Sequence, residues 1–89
     1  MKTFTVKVNN PAGLHARPAT FIAAEASKFK SDLQLVIDKN GKFANLKSVM
    51  NIIALTINKN DTITVKANGD DEDKAIQALH EAFKVNEII

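Results

Sequence analysis

Gly13-Leu14-His15-Ala16-Arg17-Pro18 marks the point where the hydropathy of this chain changes its period. Before it, Phe4, Val6 and Val8 alternate with Thr3, Thr5 and Lys7, the period-two pattern of a strand over residues 2–8 with one buried face. After it, Pro18, Ile22, Ala26 and Phe29 recur at helical spacing, flanked by Ala19 and Ala23, and predict a helix over about residues 16–28. Asn9-Asn10-Pro11-Ala12-Gly13 is the loop between them. Pro18 falls in the first helical turn, where its missing N–H removes no hydrogen bond. His15 therefore stands at the cap.

Working outward, Leu33, Leu35 and Ile37 alternate with Asp32, Gln34, Val36 and Asp38 as a second strand, although Val36 blurs its polar face. Asp38-Lys39-Asn40-Gly41 contains the Asn-Gly pair favoured in tight hairpins, so a short strand around Lys42–Ala44 returns beside it, with Phe43 expected to face inward. Ser48 can cap a short helix over roughly Val49–Leu55, its hydroxyl accepting from a first-turn amide. That helix carries apolar residues on more than one face. Ile52 and Leu55 are expected in the core and Met50 in solvent. Ile63, Val65 and Ala67 alternate with Thr62, Thr64 and Lys66 as a fourth strand. Asp70 or Asp71 can cap a last helix over about residues 71–84, where Glu72 and Asp73 complement the helix dipole and Ile76, Leu79 and Phe83 form the buried stripe.

The order is βαββαβα. One sheet with an apolar face and three helices able to cover it is a two-layer sandwich. Clean alternation in each strand suits an antiparallel sheet whose other face meets water. The expected fold is thus α+β: a four-stranded antiparallel sheet covered on one face by three helices, in a single domain over residues 1–89. No repeat or low-complexity segment interrupts it.

Composition narrows the chemistry. A chain of 89 residues can bury about 60–65% of its unfolded surface without a staple. It has no cysteine, which excludes a disulfide scaffold and thiolate chemistry and agrees with a cytoplasmic location. The first strand lacks the continuous apolar block of a signal peptide, and no apolar run is long enough to enter a membrane. The net charge of +2 is too small to argue for nucleic acid, but eleven lysines accompany a single arginine, Arg17, two residues beyond one of only two histidines. Guanidinium offers a planar fork of donors that fits phosphate.

His15 and His80 lie far apart with no thiolate or HExxH pattern, so no metal or other cofactor is expected. His80 reads as a surface or packing residue on the last helix. Acyl transfer finds no Gly-x-Ser-x-Gly and no carboxylate before Glu25, and no glycine has P-loop spacing. A lone histidine at a helix start can simply be a cap. Here, however, the amides of Ala16 and Arg17 point out along the axis, Pro18 offers none, Gly13 permits an unusual turn, and Arg17 can neutralise phosphate oxygens. A histidine at such a helix start can act as a nucleophile.

Gly13-Leu14-His15-Ala16-Arg17-Pro18-Ala19-Thr20, together with Asn45-Leu46-Lys47-Ser48-Val49-Met50, resembles the HPr family of histidine-containing phosphocarriers of the bacterial sugar phosphotransferase system, over nearly the whole chain. The resemblance implies that His15 accepts phosphate on Nδ1 from enzyme I and passes it to enzyme IIA domains during sugar uptake, with Arg17 stabilising it. Such a protein is a carrier rather than an enzyme, and a monomer. Ser48 matches the serine modified by an HPr kinase/phosphorylase in Gram-positive-type members, which implies carbon catabolite regulation through a catabolite-control transcription regulator. Val49, Met50 and Ile53 match the family's partner-docking residues. Two departures concern loops: the turn Asp38–Gly41 is longer than in many members, and Thr56 and Asn60 stand where glycines are common. The competing class is a regulatory or RNA-binding module without phosphotransfer. Against RNA, there is no Trp or Tyr and no Lys/Arg-Gly-Phe strand motif.

Overall fold

Alternating and helical hydropathy produce the elements in the expected order: β1 (Lys2–Lys7), α1 (Ala16–Ala26), β2 (Asp32–Ile37), β3 (Phe43–Asn45), α2 (Val49–Ala54), β4 (Thr62–Asn68) and α3 (Glu72–Val85). The computed structural model describes every residue from Met1 to Ile89. The four strands form one antiparallel sheet in the order β1-β4-β2-β3. Phe4 faces Val65 across β1 and β4, and Leu35 faces Val65 across β2 and β4, so each apolar row continues through the central strands. All three helices contribute fully buried residues to the same core, Ile22 from α1, Ile52 from α2, and Leu79 and Phe83 from α3. Each such apolar side chain contributes about 1.5–3 kcal/mol relative to exposure. The other face is solvated and carries a hydroxyl chain, in which Thr5 bonds Thr64 (2.9 Å) and Thr64 donates to Asp38 (2.8 Å).

The structure corrects several sequence expectations. Phe43 faces outward and is 66% exposed. Side chains alternate along a strand, and Ala44, paired with Leu35, and Leu46, fully buried, take the inward positions. Parity then sends Phe43 to the open face, and β3 begins one residue later than its periodicity suggested. The Asn-Gly pair does not form a two-residue turn. The loop Asp38–Gly41 is closed by Ile37 N–H to Lys42 O and Gly41 N–H to Ile37 O, both 2.8 Å, and Gly41 alone within it is left-handed at φ 71.

Helix ends differ too. α1 stops at Ala26, with Ser27 at the C-cap, and Phe29 is half-buried beyond it. In α3, Ala75 joins Leu79 and Phe83 in the buried stripe while Ile76 is only half-buried. Asp71 occupies the N-cap of α3 but makes no capping bond. Its carboxylate instead accepts from the amides of Lys30 (2.9 Å) and Ser31 (3.0 Å) and from the Ser31 hydroxyl, tying the α1–β2 loop to the start of α3. Glu72 accepts from the Gly69 amide (3.2 Å) and pairs with the N-terminal ammonium (3.0 Å).

Candidate functional site

The approach to α1 is built from backbone outward. Val8 is held on both sides, donating to Asp61 O (2.9 Å) and accepting from Asn60 N–H (2.8 Å). Asn10-Pro11-Ala12-Gly13 then folds as a β-turn closed by Gly13 N–H to Asn10 O at 2.9 Å, with proline in the position that favours its fixed φ. The Asn10 side chain adds an Asx turn by accepting from Ala12 N–H at 2.9 Å. Gly13 has φ 70, and a Cβ there would lie 2.1 Å from the Ile57 carbonyl oxygen. That same carbonyl accepts from Leu14 N–H at 3.2 Å, and the Leu14 side chain is 3% exposed. The residue before His15 is therefore fixed by burial, a hydrogen bond and backbone contact.

His15 is the N-cap of α1, in extended backbone at φ −94, ψ −172, and its side chain makes no capping bond. The ring is exposed. Its carbonyl receives the first helical bond, from Ala19 N–H at 3.0 Å. The amides of Ala16 and Arg17 donate to no acceptor in the chain, Pro18 has no N–H, and the first turn contains no acidic residue. Two unengaged donors at the positive end of an eleven-residue helix form a setting for a phosphate-sized anion. Arg17 is exposed and enters no ion pair. Imidazole, two amides and guanidinium thus come from three consecutive residues.

α2 lies beside this end of α1. The two helices pack together, and the chain leaving α2 reaches Ile57, whose carbonyl holds Leu14. Ser48 caps α2 as expected, its hydroxyl accepting from Asn51 N–H at 3.3 Å. A six-residue helix is about 9 Å long, with Ser48 at its start and the chain to Ile57 leaving its far end. Met50 is 74% and Ile53 38% exposed, Ile52 is fully buried, and Val49 is half-buried. Leu55, expected in the core, is only half-buried against its edge.

Some supporting residues had no clear mark in the sequence. Asp61 is a 9% exposed carboxylate that accepts from Asn58 N–H (2.8 Å) and from the Lys39 ammonium (3.0 Å). The Asn58 amide, with the hydrogen bond and charge of Lys39, holds its carboxyl below the usual range. It closes the Asn58–Asp61 turn, against which Gly13 and Val8 rest. An acidic residue ending an Asn-rich turn was the available signal. Its long-range partners were not readable.

His80 is half-buried and packs edge-on against Phe4 with ring centroids 5.0 Å apart, a packing residue as read. No three His, Cys, Asp or Glu side chains converge. Two open cavities occur, about 270 Å³ beside β3 near Phe43 and Asn51, and about 320 Å³ between Phe21 of α1 and Val85 of α3. Neither is lined by His15, Arg17 or Ser48. No helix is long and apolar enough to cross a membrane.

Comparison with known proteins finds relatives of this fold along the whole chain. Residues 2–84 match the family described as PTS HPr component phosphorylation site. The phosphocarrier protein HPr of Mycoplasma genitalium is 46% identical over 89 residues, the whole of both chains. The solved structure of a mycoplasma histidine-containing phosphocarrier protein superposes with a TM-score of 0.95 at 41% identity, covering 99% of this chain and 98% of that one. A phosphocarrier protein HPr from Bacillus anthracis gives a TM-score of 0.81 at 34% identity over 91% and 94% of the two chains.

Proposed function

The chain belongs to the HPr family of phosphotransferase-system phosphocarriers, and from that premise we propose that His15 is the atom-level acceptor of its relay. Neutral His15 attacks the phosphorus of phosphohistidine on enzyme I in line. The enzyme I N–P bond breaks as the new bond to Nδ1 of His15 forms; the His15 ring gives up its Nε2 proton and the departing enzyme I ring takes one up, so a neutral imidazole leaves and the protons balance. Charge on the three equatorial oxygens of the loose transition state falls where the Ala16 and Arg17 amides and the guanidinium can receive it. Such charge-assisted bonds are about twice as strong as neutral ones. A second in-line transfer hands the group to an enzyme IIA domain, with the same changes in reverse roles.

The observation that carries this reading is the pair of unengaged amides at α1 next to an exposed imidazole that caps nothing. A ring committed to capping would be poorly placed to attack. The relay is covalent and needs no small-molecule pocket, which suits a site on open surface. Val49, Met50 and Ile53 form the docking patch for enzyme I and IIA, since exposed Met and Ile beside α1 offer an adaptable apolar contact for several partners. The carrier works as a cytoplasmic monomer, its 89 residues acting as one domain.

Ser48 is a regulatory site for an HPr kinase/phosphorylase, read by a catabolite-control regulator. Its phosphate at a helix start is electrostatically favourable, while a charge of about −1.5 to −2 beside the apolar patch repels partners that dock there. The test is incubation with enzyme I and phosphoenolpyruvate. Wild type should acquire acid-labile label and His15→Ala none; equal labelling of the two defeats the acceptor assignment.

A further inference from the structure

We propose that Asn10 is a positioning residue for this transfer, latching the turn that delivers His15 to the Glu87–Ile88 segment beyond α3; the role rests on His15 being the acceptor. Asn10 commits every polar group it has. Its carbonyl accepts from Gly13 N–H (2.9 Å) and its N–H donates to Ile88 O (3.3 Å). Its side-chain oxygen accepts from Ala12 N–H (2.9 Å), and its side-chain nitrogen donates to Glu87 O (3.2 Å). Asn9 N–H adds a 2.7 Å bond to the same Ile88 carbonyl.

The far side of the latch is itself anchored. Glu87 is left-handed at φ 59, and α3 ends with Ile88 N–H to Phe83 O (2.9 Å) and Glu87 N–H to Lys84 O (3.0 Å), a Schellman arrangement that turns the chain back. Ile88 is 0% exposed. Two carbonyls are thereby fixed in place facing the Asn10 turn. Gly13 ends that turn and only Leu14 separates it from His15, and both are fixed against Ile57. A tilt at Asn10 passes into the His15 backbone instead of dissipating in a loop.

The proline turn and the Asx acceptor would shape residues 10–13 without any help from Glu87. What the side-chain donor adds is orientation of that turn relative to the core. Displacement of a reacting group by about 1 Å costs as much as 10²-fold in rate. Losing one of several supports should cost about five- to tenfold.

The test uses the full chain with Asn10→Ala and Asn10→Asp. The aspartate keeps the acceptor for Ala12 and loses the donor to Glu87. Ser31→Ala, which loosens the distant Asp71 tie, controls for general destabilisation. Single-turnover transfer from phosphorylated enzyme I, followed across enzyme I concentration, should show both Asn10 variants slowed about five- to tenfold at saturation with unchanged half-saturation, because the α2 patch is untouched. Ser31→Ala should transfer normally. Amide exchange at Gly13 and Leu14 should accelerate in both Asn10 variants. Wild-type rate and exchange in Asn10→Asp, or equal slowing in Ser31→Ala, overturns the latch. No labelling of the wild-type chain overturns the His15 assignment instead, and the exchange data then decide by themselves whether Asn10 holds the turn.

Discussion

Gly13→Ala removes the closest backbone approach in the site. The new Cβ would sit 2.1 Å from Ile57 O and 2.9 Å from Asn58 Cα, at φ 70. Left-handed backbone costs a non-glycine residue about 1–2 kcal/mol. The Ile57 carbonyl must also withdraw, weakening its 3.2 Å bond from Leu14 N–H, which contributes about 1 kcal/mol more. The sum is about 2–3 kcal/mol, which for a domain this small lowers Tm by about 10–20 °C. Urea unfolding followed by circular dichroism at pH 7 gives the number directly, with the slope m unchanged. Phosphoryl acceptance at a temperature where the variant is folded should also fall, because Leu14 no longer seats the N-cap. A loss of stability below about 0.5 kcal/mol, the range of ordinary surface substitutions, would refute the claim that the α1 entry is locked on Ile57.

Other substitutions separate stability from function. Asp61, Asp71 and Glu72 all have depressed carboxyl pKa values in the fold, so their stabilisation is complete above the unfolded values near about 4 and is lost as pH falls through the lower folded ones. Urea midpoints should hold at neutral pH and fall below about pH 4; Asp71→Asn should be less stable than wild type at pH 7 and converge with it in acid, and a constant gap would contradict the Ser31 and Lys30 bonds as the cause. Thr56→Gly relieves a β-branched residue at φ 53, a cost of about 1–2 kcal/mol offset by about 0.5–1 for glycine entropy. Denaturant unfolding should show a gain of about 0.5–1 kcal/mol, and a loss would show that the side chain contributes packing. Ser48→Ala should lose about 1 kcal/mol of cap energy in the same assay while still accepting phosphate from enzyme I. Ser48→Asp should keep the cap and slow that transfer, seen as a raised KM for enzyme I.

How much of this was legible in the sequence depended on distance along the chain. Period-two and helical spacing located all seven elements, and the Gly-Leu-His-Ala-Arg-Pro run placed His15 at the cap and Ala16 and Arg17 in the first turn of α1, because those placements depend on local sequence. Ser48 and Met50 were legible for the same reason. Phe43 was misread because hydropathy alone cannot choose between two faces when Ala44 and Leu46 can claim the inner one. Asp71 was misread because its partners, Lys30 and Ser31, come from another loop. The supports of the site were hidden in the same way: Asn10 meets Glu87, Gly13 meets Ile57 and Val8 meets Asp61 only after the sheet has formed. Thr56 and Asn60 stood out as replacements for common glycines, and both take left-handed backbone, at φ 53 and 75.

We propose that the phosphoryl group rests on the His15 ring, received by the Ala16 and Arg17 amides. Nuclear magnetic resonance of the ¹⁵N-labelled chain, before and after phosphorylation by enzyme I and phosphoenolpyruvate, tests it at atomic level. Phosphorus coupling to Nδ1 of His15 and downfield movement of the Ala16 and Arg17 amide protons are expected, with His80 unchanged. Coupling to His80, or coupling at His15 with those two amides unmoved, would contradict it.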